Sequence, residues 1–198
     1  MPHDVSAVLL AAGSSRRMGR PKQLLPVNGI PAVRRCADAI LQAGLRDVVV
    51  VTGANSAAVE EAIRDLPVRI VRNEHPGGEM IDSVRAGLRA TLPQAPAVLL
   101  CLADHPLVLP ATIRTIIGER DSFPDRIVIP LHQGRRGHPT LFPRQLIGQV
   151  LSGTTLRDVI QANADRIRLV EVDDVGIALD LDTQEDYADA VRIAAQRS

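Results

Sequence analysis

Short apolar runs of strand length alternate with segments of helical period, and this alternation constrains the fold more than any other feature of the chain. The runs are mostly β-branched or leucine-rich and lie at 5–12, 47–53, 68–73, 97–103 and 126–130. Strands that are covered on both faces have this composition, whereas strands with one exposed face alternate between polar and apolar residues. The runs therefore predict a mostly parallel central sheet.

The segments between these runs show the i, i+3, i+4 spacing of helices with one buried face. Gly44 and Pro67 follow two of these segments as typical helix stops, and Pro110 opens a third. Thr183 and Asp186 have the spacing of a capping box ahead of the last segment. The predicted helices lie at 33–41, 59–66, 80–88, 110–117 and 187–194. Strands and helices together predict one three-layer α/β/α domain over residues 1–198, with ligands at the carboxyl ends of the strands.

Composition argues against several classes of partner. The 23 acidic residues balance the 23 basic ones, so no overall charge draws the chain to nucleic acid or to an anionic membrane. No apolar run approaches the ~20 residues that span a bilayer, and the N-terminus lacks a leader pattern. Cys36 and Cys101 lie in apolar patterns and match neither a disulfide framework nor a metal-binding spacing. We therefore expect a cytoplasmic protein that binds neither nucleic acid nor membranes.

The stretch LLAAGSSRRMGRPKQLLP at 9–26 directly follows the first predicted strand. Its small residues let backbone N–H groups approach a ligand closely, and loops of this kind bind phosphate. Lys22 is the only lysine beside 22 arginines, so we interpret it as a specific contact that needs a compact point charge. The loop matches neither GxxxxGK[ST] nor GxGxxG. An exposed basic turn is the alternative interpretation.

Carboxylates occur at two places where a metal ion would be expected. Asp104 ends the run AVLLCLAD at the tip of a predicted central strand, and Asp180 and Asp182 alternate along a second predicted strand within LDLDTQEDY. That alternation places Asp180 and Asp182 on one face. Mg²⁺ prefers oxygen ligands and usually binds through one or two carboxylates together with substrate phosphates. The alternative is that these acids only cap the turn beside Pro106 and the last helix.

These motifs together resemble molybdenum cofactor cytidylyltransferases, which are MobA-like NTP transferases. The likeness rests on LAAG, SxRMG and the lysine of the first loop, and it covers almost the whole chain in order. It continues in NEHPGGEMIDSVRAGL at 73–88, CLADHP at 101–106, GRRGHPTLF at 134–142 and LDLDTQEDY at 179–187. The resemblance implies a Rossmann-like, GT-A-like fold of the nucleotide-diphospho-sugar transferase type.

The resemblance also implies roles for individual residues. Lys22, Arg17 and Asp104 would be catalytic, with Lys22 near the α-phosphate. Asp182 would join Asp104 in holding Mg²⁺ or Mn²⁺, with Asp180 as its substitute, while Asp186 caps the helix. The nucleotide would contact Leu10, Ala11, Ala12, Gly13, Arg17, Lys22, Asn73, Gly78, Met80, Ser83 and Asp104. The acceptor would contact His105, Arg136, Gly137, His138, Pro139 and Arg157, most of them in the polar hairpin or loop predicted at 130–139.

The implied reaction is the transfer of CMP from CTP to the phosphate of a molybdopterin-type cofactor, with release of pyrophosphate. A molybdoenzyme or its chaperone would be a further partner. One alternative is a nucleotidyltransferase that uses GTP or UTP and a sugar or alditol phosphate. Another is a non-catalytic carrier or insertion factor for a pterin cofactor. A third, a small reductase using a dinucleotide, lacks a glycine fingerprint.

Overall fold

A computed structural model describes residues 4–13, 21–53, 56–75 and 79–197 of the chain. The first half contains β1 (Val5–Ala11), β2 (Pro26–Val27), β3 (Ile30–Pro31), α1 (Ala32–Gln42), β4 (Asp47–Thr52), α2 (Ser56–Ile63), β5 (Arg69–Arg72), α3 (Met80–Ala90) and β6 (Ala97–Leu102). The second half contains α4 (Pro110–Ser122), β7 (Ile127–His132), β8 (Arg135–Arg136), β9 (Thr140–Pro143), α5 (Arg144–Ile147), α6 (Leu156–Ala162), β10 (Ile167–Glu171) and α7 (Gln184–Gln196). Short 3-10 turns at Lys22–Leu24 and Val175–Ile177 lie near the site described below.

The large sheet has the strand order β10-β7-β9-β6-β1-β4-β5. Its centre, β6-β1-β4-β5, is parallel throughout. Strand β9 is inserted antiparallel between β6 and β7, and β10 runs parallel to β7 at the edge. The predicted mostly parallel sheet is therefore confirmed. The carboxyl ends of β1 and β6 are neighbours, which is where an α/β sheet of this kind offers a ligand crevice.

Helices cover the sheet on both faces, as the uninterrupted apolar runs predicted. Every residue of β1 is buried. Alternate side chains of β1 point to opposite faces: Leu9 packs in the cluster formed with α1, α2 and α4, and Val8 in the cluster formed with α3, α5 and α6. Cys36 and Cys101 are free thiols buried in the first cluster, in agreement with the prediction that both are core residues.

A smaller apolar cluster lies beneath α7 and joins three segments that are distant in sequence. Its members are Leu25, Val27, Ala32, Leu107, Leu181, Ala190 and Ala194. The Tyr187 hydroxyl adds a hydrogen bond of 2.8 Å to the Pro26 carbonyl. Because Leu25 and Leu181 follow closely on Lys22 and Asp180, this packing brings the first loop and the acidic segment at 179–182 to the same place. The capping box predicted from Thr183 and Asp186 opens α7.

Two predictions of local structure are wrong in detail. The segment with Asp180 and Asp182 is not a strand: it meets the sheet end through the backbone bond from Leu181 N to Asp104 O, at 3.0 Å, and forms no ladder with the described strands. The second helix ends at Ile63 and not at 66, since Pro67 disfavours helical geometry in the residue before it. None of the described helices is long and apolar enough to span a membrane.

Candidate functional site

The side chain of Lys22 lies between two carboxylates that come from distant parts of the chain. Its Nζ donates to Asp104 Oδ2 at 2.7 Å and to Asp182 Oδ1 at 2.6 Å. The Lys22 and Asp104 side chains are 18% and 20% exposed, and that of Asp182 is 49% exposed. The residues that the sequence marked for the α-phosphate and for the metal thus meet at one point, in a partly screened environment.

Backbone hydrogen bonds fix the two carboxylates relative to the sheet. Ala103 N donates to Leu10 O at 3.0 Å, which ties the turn after β6 to the end of β1. The bond from Leu181 N to Asp104 O then attaches the acidic segment to that turn. Leu181 is fully buried, so Asp180 and Asp182 on either side of it face away from the core. Their common orientation therefore arises without a strand.

Two carboxylates pair with the Lys22 ammonium group, and a third, that of Asp180, interacts electrostatically with both of them. Burial alone would lower the pKa of Lys22, but hydrogen bonds and charge from Asp104 and Asp182 outweigh it, and the pKa lies above its ordinary value. Lys22 is therefore charged at neutral pH. Burial raises the pKa of Asp180, and the neighbouring charges of Asp182 and Asp104 raise it further. An excess of negative charge favours a cation at this place.

The donor set fits a divalent cation that is completed by substrate. Asp104 and Asp182 each place an oxygen within 2.7 Å of one point, now occupied by Lys22 Nζ. Within the described residues, no three His, Cys, Asp or Glu side chains form a group that could hold a metal ion. Two carboxylates with phosphate and water oxygens are the usual shell of protein-bound Mg²⁺, so Asp104 and Asp182 are the residues that could hold such an ion.

Two imidazoles stand beside Asp104. His105 Nε2 lies 4.0 Å from Asp104 Oδ1, and the rings of His105 and His138 are 5.2 Å apart, centre to centre. The Nδ1 atoms of both rings are buried without a hydrogen-bond partner in the described part of the chain. Burial and the neighbouring His105 lower the pKa of His138 to about 4. His138 is thus neutral at physiological pH, so its predicted contact with the acceptor would be a hydrogen bond and not an ion pair.

A small cavity of about 20 Å³ lies next to the two rings. Its wall is formed by Cys36, Ala39, Ile40, Cys101, Leu102, His105, Val108, Ile113, His138 and Pro139. This volume accommodates about one water molecule. A water there would have imidazole nitrogens nearby as polar partners, in an otherwise apolar wall.

The polar stretch at 130–139 is the predicted hairpin, formed by β7 and β8. Gly137 is packed so closely that a Cβ atom there would lie 2.1 Å from Ile177 O, and His138 N donates to the same oxygen at 2.8 Å. Any side chain at 137 would therefore push the hairpin off the 175–177 turn. Arg135 and Arg136 are exposed on β8 and remain available cations, and the buried Pro139 follows His138.

The residues predicted to contact the base lie at the start of α3. Asn73 Nδ2 donates to the buried Ser83 Oγ at 2.9 Å, and Asn73 N donates to Thr52 O at 2.8 Å. Met80 is 60% exposed at the first position of the helix. The structure thus fixes the Asn73 amide at the sheet edge where Lys22 also lies, and leaves the apolar side chain of Met80 exposed.

Other predicted residues are placed differently or are not described. Arg17 and Gly78 lie outside the described residues. All of residues 14–20, which form the larger part of the predicted phosphate loop, lie outside them as well. Leu10 and Ala11 are buried in β1, and Ala12 and Gly13 follow it with increasing exposure. Arg157 is exposed on α6, which packs against α5 and the 148–152 turn, so the described contacts do not join it to the carboxylates.

One residue of the site was missed by sequence reasoning. Gln23 is 4% exposed and donates through Nε2 to Ala11 O at 2.9 Å and to Gly13 O at 2.6 Å. It follows Lys22 directly, and its two hydrogen bonds fix the backbone where the chain leaves β1. The sequence signal was a polar residue inside the otherwise apolar run QLLPV, which has no periodicity to single it out.

Comparison with known proteins relates this geometry to a family. The chain matches the MobA-like NTP transferase domain over residues 7–189. It is 32% identical to nicotine blue oxidoreductase of Paenarthrobacter nicotinovorans over 194 residues, which cover 91% of this chain and 93% of that protein. It is 28% identical to molybdenum cofactor cytidylyltransferase of Escherichia coli strain K12 over 189 residues, which cover 94% of this chain and 95% of that enzyme.

Among solved structures, the chain is similar to Rv0371c from Mycobacterium tuberculosis H37Rv. The TM-score is 0.82 at 29% identity, with 97% of this chain and 100% of that chain covered. A structure of Rv0371c in complex with manganese gives a TM-score of 0.78, also at 29% identity, with 95% and 98% covered.

Proposed function

The chain belongs to the MobA-like NTP transferase family, and on that premise we propose that it transfers CMP from CTP to the phosphate of a molybdopterin-type acceptor. The GT-A-like fold of nucleotidyltransferases agrees with this activity. The observation that carries the proposal is the meeting of Lys22, Asp104 and Asp182 at the carboxyl ends of β1 and β6. The full-length similarity to the Escherichia coli cytidylyltransferase supports CTP and a molybdenum cofactor as substrates.

In the proposed reaction, an oxygen of the acceptor phosphate attacks the α-phosphorus of CTP. The bond from that phosphorus to the bridging oxygen breaks, and pyrophosphate leaves with the electron pair. The attacking phosphate is already an anion near pH 7, so the step requires no general base. The protein contributes alignment for in-line attack and positive charge placed where negative charge accumulates.

Lys22 has two successive sets of partners in this proposal. Before substrate binds, its ammonium pairs with Asp104 and Asp182. A Mg²⁺ or Mn²⁺ ion on the two carboxylates would polarise the phosphate oxygens, in keeping with the manganese complex of Rv0371c. Lys22 then releases the carboxylates and turns to the α-phosphate, which its flexible stem permits without movement of the backbone. Arginine, with a planar and rigid fork, is less suited to exchange partners in this way.

On the acceptor side, the proposal uses the β7–β8 hairpin and the paired imidazoles. Arg136, beside Arg135, offers charge to an anionic acceptor, and Arg157 is a more distant candidate. The Nδ1 atoms of His105 and His138, both without a partner in the described part of the chain, offer hydrogen bonds, and the lowered pKa of His138 keeps that ring neutral. We also propose that residues 1–198 act as one domain in the cytoplasm, from which a molybdoenzyme or its chaperone receives the product.

The test is pyrophosphate release from CTP, GTP, UTP and ATP, with Mg²⁺ or Mn²⁺, in the presence and absence of a molybdopterin-type acceptor. The proposal predicts release from CTP that depends on the acceptor and is lost in Asp104→Ala. Release from GTP or UTP with a sugar or alditol phosphate would instead indicate another nucleotidyltransferase. Tight pterin binding without release from any nucleotide would indicate a carrier.

A second candidate function is an oxidoreductase, because the 32% identical relative that spans nearly all of both chains bears that name. The candidate predicts that the chain oxidises NADH or NADPH in the presence of a heteroaromatic dye. That activity would not require CTP or a divalent cation, and Lys22→Ala would leave it largely intact. Measured side by side with pyrophosphate release, it separates the two functions directly.

A further inference from the structure

Gln23 is a buried polar side chain whose amide is committed to the backbone of the first loop. Nε2 donates to Ala11 O at 2.9 Å and to Gly13 O at 2.6 Å. Both hydrogens of the amide nitrogen are used by these two bonds. Burying an amide is costly without such partners, so an apolar side chain would be the ordinary choice for filling this space. The presence of glutamine in place of an apolar residue indicates that the two carbonyls need to be fixed by hydrogen bonds.

Holding the Ala11 carbonyl fixes the direction of the next backbone donor. The peptide group is planar and trans, so the N–H of Ala12 points opposite to the Ala11 carbonyl. Because that carbonyl points at Gln23, the Ala12 N–H points away from it. The second bond holds the Gly13 carbonyl at the entry of the 14–20 segment. Gln23 therefore sets the orientation of the backbone at Ala11–Gly13, the described start of the predicted phosphate loop.

Gly53 constrains the same peptide from a second element. A Cβ atom at 53 would lie 2.9 Å from Ala12 O and 3.2 Å from Ala12 Cβ. The end of β4 thus packs directly against Ala12, and Gln23 holds the carbonyls on either side of it. Rotation of the Ala11–Ala12 peptide would break a buried hydrogen bond, and displacement of Ala12 would meet the backbone at Gly53. Two independent contacts preorganise this short segment.

We propose that Gln23 is a positioning residue for the triphosphate: it orients the backbone donor of Ala12 and couples the segment Ala11–Gly13 to the neighbouring Lys22. The inference rests on the proposed function, since it assumes that the loop binds an NTP. Gln23 does not touch the reacting atoms in this account. Its effect reaches the substrate through the Ala12 N–H and through the 3-10 turn Lys22–Leu24, which carries both side chains.

The test compares three variants by CTP binding and by steady-state turnover of the full chain with Mg²⁺. Gln23→Met keeps the length of the side chain and removes the donors. Thr91→Val is the matched control, because Thr91 is also 4% exposed and its hydroxyl donates to a backbone carbonyl, that of Leu88 at 2.7 Å. We expect Gln23→Met to raise the Kd and KM of CTP by about tenfold or more, whereas Thr91→Val leaves both constants within about twofold of the native values. The two variants should lose a similar amount of thermal stability.

The third variant, Gln23→Glu, provides a readout that a purely structural role does not give. A carboxylate at 23 faces two carbonyl oxygens and repels them, whereas its protonated form donates one hydrogen bond. CTP affinity relative to the native chain should therefore recover as the pH falls from 8 to 5 in Gln23→Glu and stay constant in Gln23→Met. Native-like CTP binding by Gln23→Met would overturn this inference but not the proposed function. The same holds if CTP affinity has the same pH dependence in Gln23→Met and Gln23→Glu. Failure of the native chain to bind any NTP would overturn the inference together with the proposed function.

Discussion

Replacing Lys22 by methionine should strengthen the binding of a divalent cation in the absence of nucleotide, although the same variant should be catalytically impaired. In the structure the ammonium occupies the point on which Asp104 and Asp182 converge, at 2.7 and 2.6 Å. A cation that binds to both carboxylates has to displace it. Methionine has a similar length and no charge, so it leaves the carboxylates available and the packing of the stem largely unchanged.

The size of the effect follows from the two ion pairs that the metal must break. Both are partly exposed, and pairs of this kind contribute up to about 1 kcal/mol each. Removing both therefore lowers the cost of metal binding by about 2 kcal/mol, which corresponds to roughly a 30-fold lower Kd. Loss of a net positive charge near the site acts in the same direction, and salt reduces that long-range part.

The assay is titration of Mn²⁺ without nucleotide, followed by electron paramagnetic resonance of the free ion. Arg168→Met is the matched control, because it removes a cation from an ion pair with Glu119, at 3.0 Å, on the edge strand. Asp104→Asn in the Lys22→Met background should abolish the gain. Equal or weaker Mn²⁺ binding by Lys22→Met would refute the idea that the ammonium occupies the metal position.

Three further predictions concern charge, pH and stability. Lys22→Arg should reduce turnover by about 10²- to 10³-fold, the usual cost of one preorganised donor, and near-native turnover would show that any cation suffices. The unfolding free energy should fall as the pH drops from 6.5 to about 4, because the folded-state pKa of His138 is about 4 and the unfolded chain takes up the proton near 6.5. In urea titrations, His138→Gln should lack this pH-dependent part of the unfolding free energy. An equal pH dependence of the unfolding free energy in the variant and the native chain would contradict the burial of a neutral ring. Asp174, 1% exposed, accepts from Leu109 N, Thr112 Oγ1, Gly176 N and Arg197 Nη2. Asp174→Ala should therefore cost about 3 to 5 kcal/mol in chemical denaturation, and a cost below about 1 kcal/mol would show that these donors find other partners.

The central strands and most helices were predictable because their signals are local. Uninterrupted apolar runs identify the buried strands, and a period of 3.6 in apolar residues identifies the helices, without knowledge of the fold. Strand β9 carries no such signal, since TLFP is four residues long and ends in proline. Its place in the sheet comes from pairing with β6 and β7, which are distant in sequence. Short strands of this kind are decided by tertiary contacts and not by their own residues.

Some features of the site could likewise be predicted from the sequence, and others could not. Asp104, Asp182 and Lys22 could be nominated from motifs, because each stands at a recognisable point next to an apolar run or a helix cap. Their direct ion pairs could not, since Lys22 had been assigned to the α-phosphate and the two carboxylates to a metal ion. His138 was assigned to the acceptor through the resemblance, and the partial burial of its ring accompanies the close approach of Gly137 to Ile177. The local sequence contains no signal that predicts such a close approach.

The central claim is the transfer of a cytidylyl group, and the most direct test identifies the product by mass. The native chain is incubated with CTP, Mg²⁺ and a molybdopterin-type acceptor, and the acceptor is analysed by mass spectrometry beside Asp104→Ala and Arg168→Met. We predict an acceptor heavier by one CMP unit, with one pyrophosphate released per product, for the native chain and Arg168→Met but not for Asp104→Ala. An unmodified acceptor, or an adduct that also forms with Asp104→Ala, would contradict the account.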